Sequence, residues 1–304
     1  MAVAELAFGL ILALDRQIPD NVLALRQGQW NKSGFSHARG LMGRTLGLIG
    51  LGQIGREVAV RAKAFGLPVV AWSRSLTADA ARQLGVTRMV SPAEVAAAAD
   101  IVSLHVALNA QTRGLIDGAF FAAMRPGAYF INTARAEVVD QAALGRAVEE
   151  KGIRAGLDVF AAEPAGGTGD FADPIVKLPG VYGTHHIGAS TEQAQAAIAD
   201  EAIRIIETYV KTGAVPNCVN LATRTPAKWQ LIVRHYDRVG VLAHVMDQIR
   251  RANTNIEEVQ NIIFEGAAAA CCRIQLNTEP TAELQSAIKT NPDIISVESL
   301  KLSE

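Results

Sequence analysis

An α/β fold with a doubly wound parallel sheet, followed by a smaller βαββαβ domain, is what this sequence predicts, on three observations. From Thr45 onward, short apolar runs alternate with helix-like stretches. A G-x-G-x-x-G run, Gly50-Leu51-Gly52-Gln53-Ile54-Gly55, follows the first apolar run and opens a helix. Past a stretch rich in turn residues, 213–227, strands and helices follow one another in a different order. A chain of 304 residues, 49% of them hydrophobic, is long enough for two domains with cores of their own.

The elements can be justified in turn. Val3, Leu6, Leu10, Ile11 and Leu14 share one helical face, so residues 1 to about 26 predict a buried amphipathic helix. The apolar run at 7–14 does not fit a secretion signal. The residues before it carry Glu5 and no Lys or Arg, and Asp15-Arg16 ends it too soon for a membrane span. Strands are predicted at 46–49, 69–72, 101–104, 128–131 and 155–159. Their unbroken apolar character suits a parallel sheet covered on both faces. Ser91-Pro92-Ala93-Glu94 offers a capping box, Asp140 caps a helix over 141–150, and Ser190-Thr191-Glu192-Gln193 starts a helix to about Lys211. Beyond the linker come a strand at 231–235, a helix at 239–251, strands at 255–265 and 267–276 meeting at Glu265-Gly266, a helix at 281–289 and a strand at 294–302. That is βαββαβ, the ferredoxin-like order.

Bulk composition narrows the function. The net charge is −1, with no basic surplus for nucleic acid and no block of like charge. Cys218, Cys271 and Cys272 form no C-x-x-C pair, so neither a zinc site nor a disulfide framework is indicated, and a reducing cytoplasm is the simple reading.

The glycine run reads as a Rossmann-type dinucleotide site. Gly50 allows the tight turn, Gly52 lets the backbone approach a pyrophosphate at the helix N-terminus, and Gly55 lets helix pack on strand. An acid is expected about 20 residues on, at the tip of the next strand. Here that tip is Ser73-Arg74. Ser73 does not repel a 2′-phosphate, and Arg74 can pair with one through its fork of donors, so the site leans towards NADP(H). The alternative is that Arg74 points to solvent and both cofactors are accepted.

Three later stretches each place one chemistry-bearing residue after a strand: "INTARAEVVD" has Arg135, "GLDVFAAEP" has Glu163, and "THHIGASTEQAQ" has His186. Ligands bind at the carboxyl ends of such strands. With these motifs in this order, the chain resembles the D-isomer-specific 2-hydroxyacid dehydrogenases from its start to about Lys211. The tail, through "HYDRVGVLAHV", resembles an ACT regulatory domain. The resemblance implies an NAD(P)-dependent oxidoreductase, with 3-phospho-D-glycerate as the substrate of the members it is most like. It implies that Arg135 holds the substrate carboxylate, that His186 is the general acid or base, and that Glu163 orients it. It also implies that Gln53, Ile54, Val106, Thr133, Ala134, Asp158, Gly188 and Ala189 lie along the cofactor. His105 matches a position beside the cofactor and takes a structural role. His235, Asp237 and Asn255 occupy the positions at which serine binds between two ACT domains, and the family's habit implies a homodimer or homotetramer.

Departures from the family pattern matter. Ala136-Glu137 stand where two glycines are common, and His185 stands where proline is common; the H-I-G-A-S-T run aligns His186 as the catalytic one. Asp237 replaces a usual asparagine and Val239 a usual proline. Family members begin with most of a substrate-binding domain, whereas this chain begins at the helix that leads out of it. The expected organisation is therefore a nucleotide-binding domain over 1–190, a helix at 191–212 returning to a largely absent substrate-binding domain, a linker at 213–227 and an ACT-like domain at 228–304. Two other readings stay open: a hydroxypyruvate or glyoxylate reductase, and a non-catalytic fragment that binds cofactor and amino acid.

Overall fold

The structure is a computed structural model and describes residues 1–164, 166–221 and 225–302; part of the expected linker, 222–224, lies outside them. It divides into two compact units, Met1–Lys211 and Thr212–Glu304.

In the first unit, among the described residues, seven parallel strands form one sheet. They are β1 (Leu46–Ile49), β2 (Val69–Trp72), β3 (Thr87–Arg88), β4 (Ile101–Leu104), β5 (Tyr129–Asn132), β6 (Arg154–Leu157) and β7 (Val181–Gly183), in the order β3-β2-β1-β4-β5-β6-β7. The order reverses between β1 and β4, the switch point of a Rossmann-like sheet, where ligands bind outside the carboxyl ends. The helices are α1 (Ala2–Arg16), α2 (Ile18–Arg26), α3 (Gln53–Ala64), α4 (Ala78–Leu84), α5 (Pro92–Ala98), α6 (Gly118–Ala123), α7 (Gln141–Lys151) and α8 (Glu192–Thr212). One core joins Leu10, Ile11 and Leu14 of α1 and Val58 of α3 to Leu46, Leu48 and Ile131. The other joins α5, α6 and α7 to Val102, Leu104 and Phe130. Both faces are thus covered, which is why every residue of β1, β4 and β5 is buried.

Several expectations need correction. The single N-terminal helix is two, because Gln17 adopts a left-handed φ of 51° and ends α1. On its inner face Leu10, Ile11 and Leu14 are buried, but Val3 and Leu6 are only half-buried. β3 and β7 are too short to show an apolar run, and two strands shift by one residue at their starts, 128 to Tyr129 and 155 to Arg154. The capping box forms only in part. Ser91 Oγ accepts from Glu94 N (3.2 Å), but the Glu94 carboxylate accepts from Val90 N (3.0 Å) instead of the Ser91 amide. Asp140 does cap α7, through Ala143 N (2.9 Å). None of the residues of α8 is buried.

The second unit has β8 (Trp229–Tyr236), α9 (Val241–Arg251), β9 (Ile256–Ile263), β10 (Ala269–Leu276), α10 (Ala282–Ile288) and β11 (Ile294–Lys301). Its antiparallel sheet runs β11-β8-β10-β9, so the βαββαβ order closes with the last strand beside the first. Leu231, Val233, Cys272, Ile274, Val245 and Ile249 form its core. Gly240 caps α9, so the helix starts at Val241, not at 239.

A buried ion pair holds the amino-terminal edge of the parallel sheet. Arg44 Nη1 lies 3.3 Å from Asp15 Oδ1, with exposures of 7% and 2%. Tyr129 donates to the same carboxylate oxygen (3.2 Å), and the guanidinium stacks 4.1 Å above the Tyr129 ring. Removing one partner strands a buried charge. Arg44→Met should therefore lower the stability of this unit by about 3 kcal/mol, read from the urea midpoint, and adding Asp15→Leu should restore most of that loss.

Candidate active site

The glycine turn is built by steric exclusion. Gly50 has φ +97°, and a Cβ there would lie 2.3 Å from the His105 carbonyl oxygen. A Cβ on Gly55 would lie 2.3 Å from the Gly50 carbonyl oxygen, so this glycine packs α3 on the turn itself and not on the strand body. Gly52, the N-cap of α3, would meet nothing within 4 Å. It leaves an open approach to the unpaired amides of a 12-residue helix, with Gln53 and Ile54 exposed in its first turn. At the tip of β2, Ser73 is half-buried, and Arg74 is exposed and hydrogen-bonded to Gln111.

The loop after β5 is pinned by Asn132. Its Oδ1 accepts from Ala134 N (3.0 Å) and its Nδ2 donates to the Arg135 carbonyl (3.1 Å). Arg135 then points outward, its guanidinium donating to the Ala134 carbonyl (2.6 Å). Ala136–Val138 form a 3-10 turn with no residue in the left-handed region, so this backbone does not require the two glycines. Thr133 Oγ1 is buried with no partner among the described residues. An orphaned hydroxyl at the carboxyl end of a central strand, together with the open cradle at Gly52, fits a dinucleotide.

His186 and Glu163 meet, although they are 23 residues apart in sequence. His186 Nδ1 lies 2.8 Å from Glu163 Oε2, and Glu163 Oε1 accepts from Phe160 N (2.8 Å). A cavity of about 620 Å³ opens beside the pair, with Phe160, Phe171, Thr184 and His185 in its wall. That volume suits a small-molecule site. His185 thus faces the same cavity, but the carboxylate contact is made by His186. Arg135 follows β5 and His186 follows β7, two strand positions away, about 10 Å across the sheet.

Asp158, which the resemblance places at the nicotinamide end, is 1% exposed, and both its oxygens accept hydrogen bonds within the chain. Oδ1 accepts from Thr184 Oγ1 (2.6 Å) and Ile187 N (2.9 Å), and Oδ2 accepts from Gly188 N (2.9 Å). It clamps the loop on either side of His186, which is held at φ 54°, a left-handed conformation that costs a histidine roughly 1 kcal/mol or more. A Cβ on Gly188 would fall 2.9 Å from that carboxylate, so this glycine permits the clamp. Ala189, the next residue, is exposed. The clamps Asn132 and Asp158 are short polar residues at strand ends; their position is the sequence signal for such a role, and their partners are visible only in three dimensions.

The effector residues are not brought together within one chain. His235 is 1% exposed, its Nδ1 donating to the Tyr236 carbonyl (2.8 Å) and its Nε2 lying 3.3 Å from Asn261. Asp237 follows the end of β8, whereas Asn255 precedes β9, whose start aligns through Leu276 with Trp229 at the opposite end of β8. A strand of this length separates the two by roughly 25 Å.

The family model described as D-isomer specific 2-hydroxyacid dehydrogenase, NAD binding domain, matches residues 8–188. The chain belongs to this family. The D-3-phosphoglycerate dehydrogenase of Methanocaldococcus jannaschii is 34% identical over 270 residues, covering 88% of this chain and 50% of that protein. The glyoxylate reductase of Thermococcus litoralis is 36% identical over 226 residues, covering 72% of this chain and 66% of that protein. Among solved structures, an acyclic imino acid reductase in complex with NADPH and D-Arg matches with a TM-score of 0.61 and 30% identity, over 69% of this chain and 65% of that chain. The chain spans about half the length of the curated phosphoglycerate dehydrogenases it matches. No helix among the described residues is long and apolar enough to cross a membrane.

In this member of the 2-hydroxyacid dehydrogenase family, the residue beneath the glycine turn is His105. Its Nε2 lies 2.9 Å from Ser103 Oγ, and burial pushes its pKa down to about 4. Between pH 6.5 and that value the unfolded chain binds a proton that the folded chain refuses. Stability contributed by the neutral imidazole is present in full above about pH 6.5 and is lost as pH falls to about 4, by about 3 kcal/mol in all. Urea unfolding at pH 7 and pH 4 should show that loss in the natural protein and a loss smaller by about this amount in His105→Gln.

Proposed function

We propose that this chain carries the cofactor-binding and proton-transfer groups of a dehydrogenase that interconverts 3-phospho-D-glycerate and 3-phosphohydroxypyruvate. The observation that carries the reading is the 2.8 Å contact between His186 Nδ1 and Glu163 Oε2 at the edge of a cavity, on a sheet whose first turn is a glycine cradle. The cofactor would lie over Gly50, Gly52 and Gly55, reach Ser73 and Arg74 with its adenosine end, and pass Val106, Thr133 and Ala134 with its nicotinamide end. When bound, it supplies or accepts the hydride. Arg135 pairs with the substrate carboxylate through its planar fork of donors. With Nδ1 committed to Glu163, His186 presents Nε2 to the substrate oxygen: it donates a proton there in reduction and takes one in oxidation. The Glu163 carboxylate stabilises the imidazolium and fixes the ring. Identities of 34% and 38% to phosphoglycerate dehydrogenases over more than four fifths of this chain, including residues beyond the nucleotide unit, favour the phosphorylated substrate over glyoxylate. The second unit would act as an ACT-type regulatory and assembly domain. Its own geometry means that an amino acid held by His235, Asp237 and Asn255 would take Asn255 from another copy.

Initial rates with 3-phosphohydroxypyruvate, hydroxypyruvate and glyoxylate should favour the phosphorylated acid; a higher specificity constant for glyoxylate would transfer the chain to the reductases. His186→Ala should abolish turnover and leave the affinity for reduced cofactor within about twofold, as expected for a group acting on the reacting oxygen alone. The missing acid at the tip of β2 implies that NADPH binds at least as tightly as NADH. Ser73→Asp with Arg74→Ala should reverse that order in a fluorescence titration.

A further inference from the structure

Glu163 reaches His186 from a loop that leaves the sheet after β6 and returns at a 3-10 turn, Pro174–Lys177. Both ends of this loop meet one side chain. Gln141, the first residue of α7, has its Nε2 2.9 Å from each oxygen of Asp173, and its Oε1 accepts from Ala161 N (3.3 Å). Asp173 is 2% exposed and also accepts from Ile175 N (3.1 Å). A buried carboxylate needs donors and can only accept, so it dictates which end of the amide faces it. The planar amide then turns its oxygen to the other end of the loop. The neighbouring peptide N–H, that of Phe160, donates back to Glu163 Oε1 (2.8 Å), which leaves Oε2 for His186.

We propose that Gln141 is a positioning residue: it staples the two ends of the loop and thereby fixes the Glu163 carboxylate against His186 Nδ1. The proposal rests on the reading of Glu163 and His186 as the proton-handling pair. A fixed carboxylate holds the proton of the neutral imidazole on Nδ1, whereas a free histidine distributes it between both nitrogens.

The test is the tautomer of His186, read from two-bond 1H–15N spectra of the full chain at about pH 9, where an ordinary histidine is neutral. The natural protein should show Nδ1–H. Gln141→Met, of similar size but without the amide, should lose that signature and show a mixture. Asp140→Ala removes the cap of the same helix one residue away, and should keep it. Should the methionine variant fail to fold, Gln141→Asn, with an amide too short to span both ends, carries the same expectation. Folded Gln141→Met with the natural tautomer overturns the proposal, as does an equal loss in Asp140→Ala. A natural protein without Nδ1–H removes the pair itself, and with it both readings, a failure distinct from the other two.

Discussion

Parallel pairing is the constraint from which the rest follows. Evenly spaced parallel ladders place every strand's carboxyl end at one edge, and crossover helices bury both faces of the sheet. In β1, β4 and β5 no residue is left for solvent. Charged and imidazole side chains are therefore absent from these three strands and are left to the loops that follow strands. Arg135, Glu163 and His186 all occur in such loops, after β5, β6 and β7. The single reversal of strand order, between β1 and β4, opens the crevice where the glycine turn sits.

Loops would place these groups poorly without anchors, and the anchors are polar residues at strand ends. Asn132 holds the Arg135 loop with two hydrogen bonds, and Asp158 holds the His186 loop with three. Asp158 is buried, so its charge is tolerable only because the loop surrounds it with donors. The dependence runs both ways: the loop adopts the left-handed turn at His186 because that turn directs Ile187 N and Gly188 N at the carboxylate. Gly50 and Gly55 work by the opposite means. They have no side chain to bond with and act by the absence of a Cβ where two backbones approach to van der Waals distance.

The second unit shows how the same periodicity argument can place residues on a face without deciding what they touch. Alternation along β8 sends Leu231, Val233 and His235 to the helix-covered side, and His235 is enclosed there with Asn261 as neighbour. Its burial follows from the strand's period of two. The distance from Asp237 to Asn255 follows from antiparallel register, which sets the starts of β8 and β9 at the same end of the sheet.

The sequence by itself determined much of this protein: the interior strands, the glycine turn, the cap at Asp140, the βαββαβ order, and the residues after late strands that carry charge or an imidazole. These depend on local periods and on residue types with few alternative uses. Strands of two and three residues, β3 and β7, were beyond its reach, because they are too short to express a period and exist only as additions to a finished edge. The break at Gln17 was equally hidden, since nothing local demands a left-handed glutamine. Only the tertiary structure decided that Asp158 serves the histidine loop, that Glu163 Oε2 and His186 Nδ1 stand 2.8 Å apart, and that Gln141 joins Ala161 to Asp173. Such pairings are between residues 20 to 32 positions apart. What sets them is the closing of strands and crossovers into one sheet, a global event that leaves no mark in any short stretch of the chain.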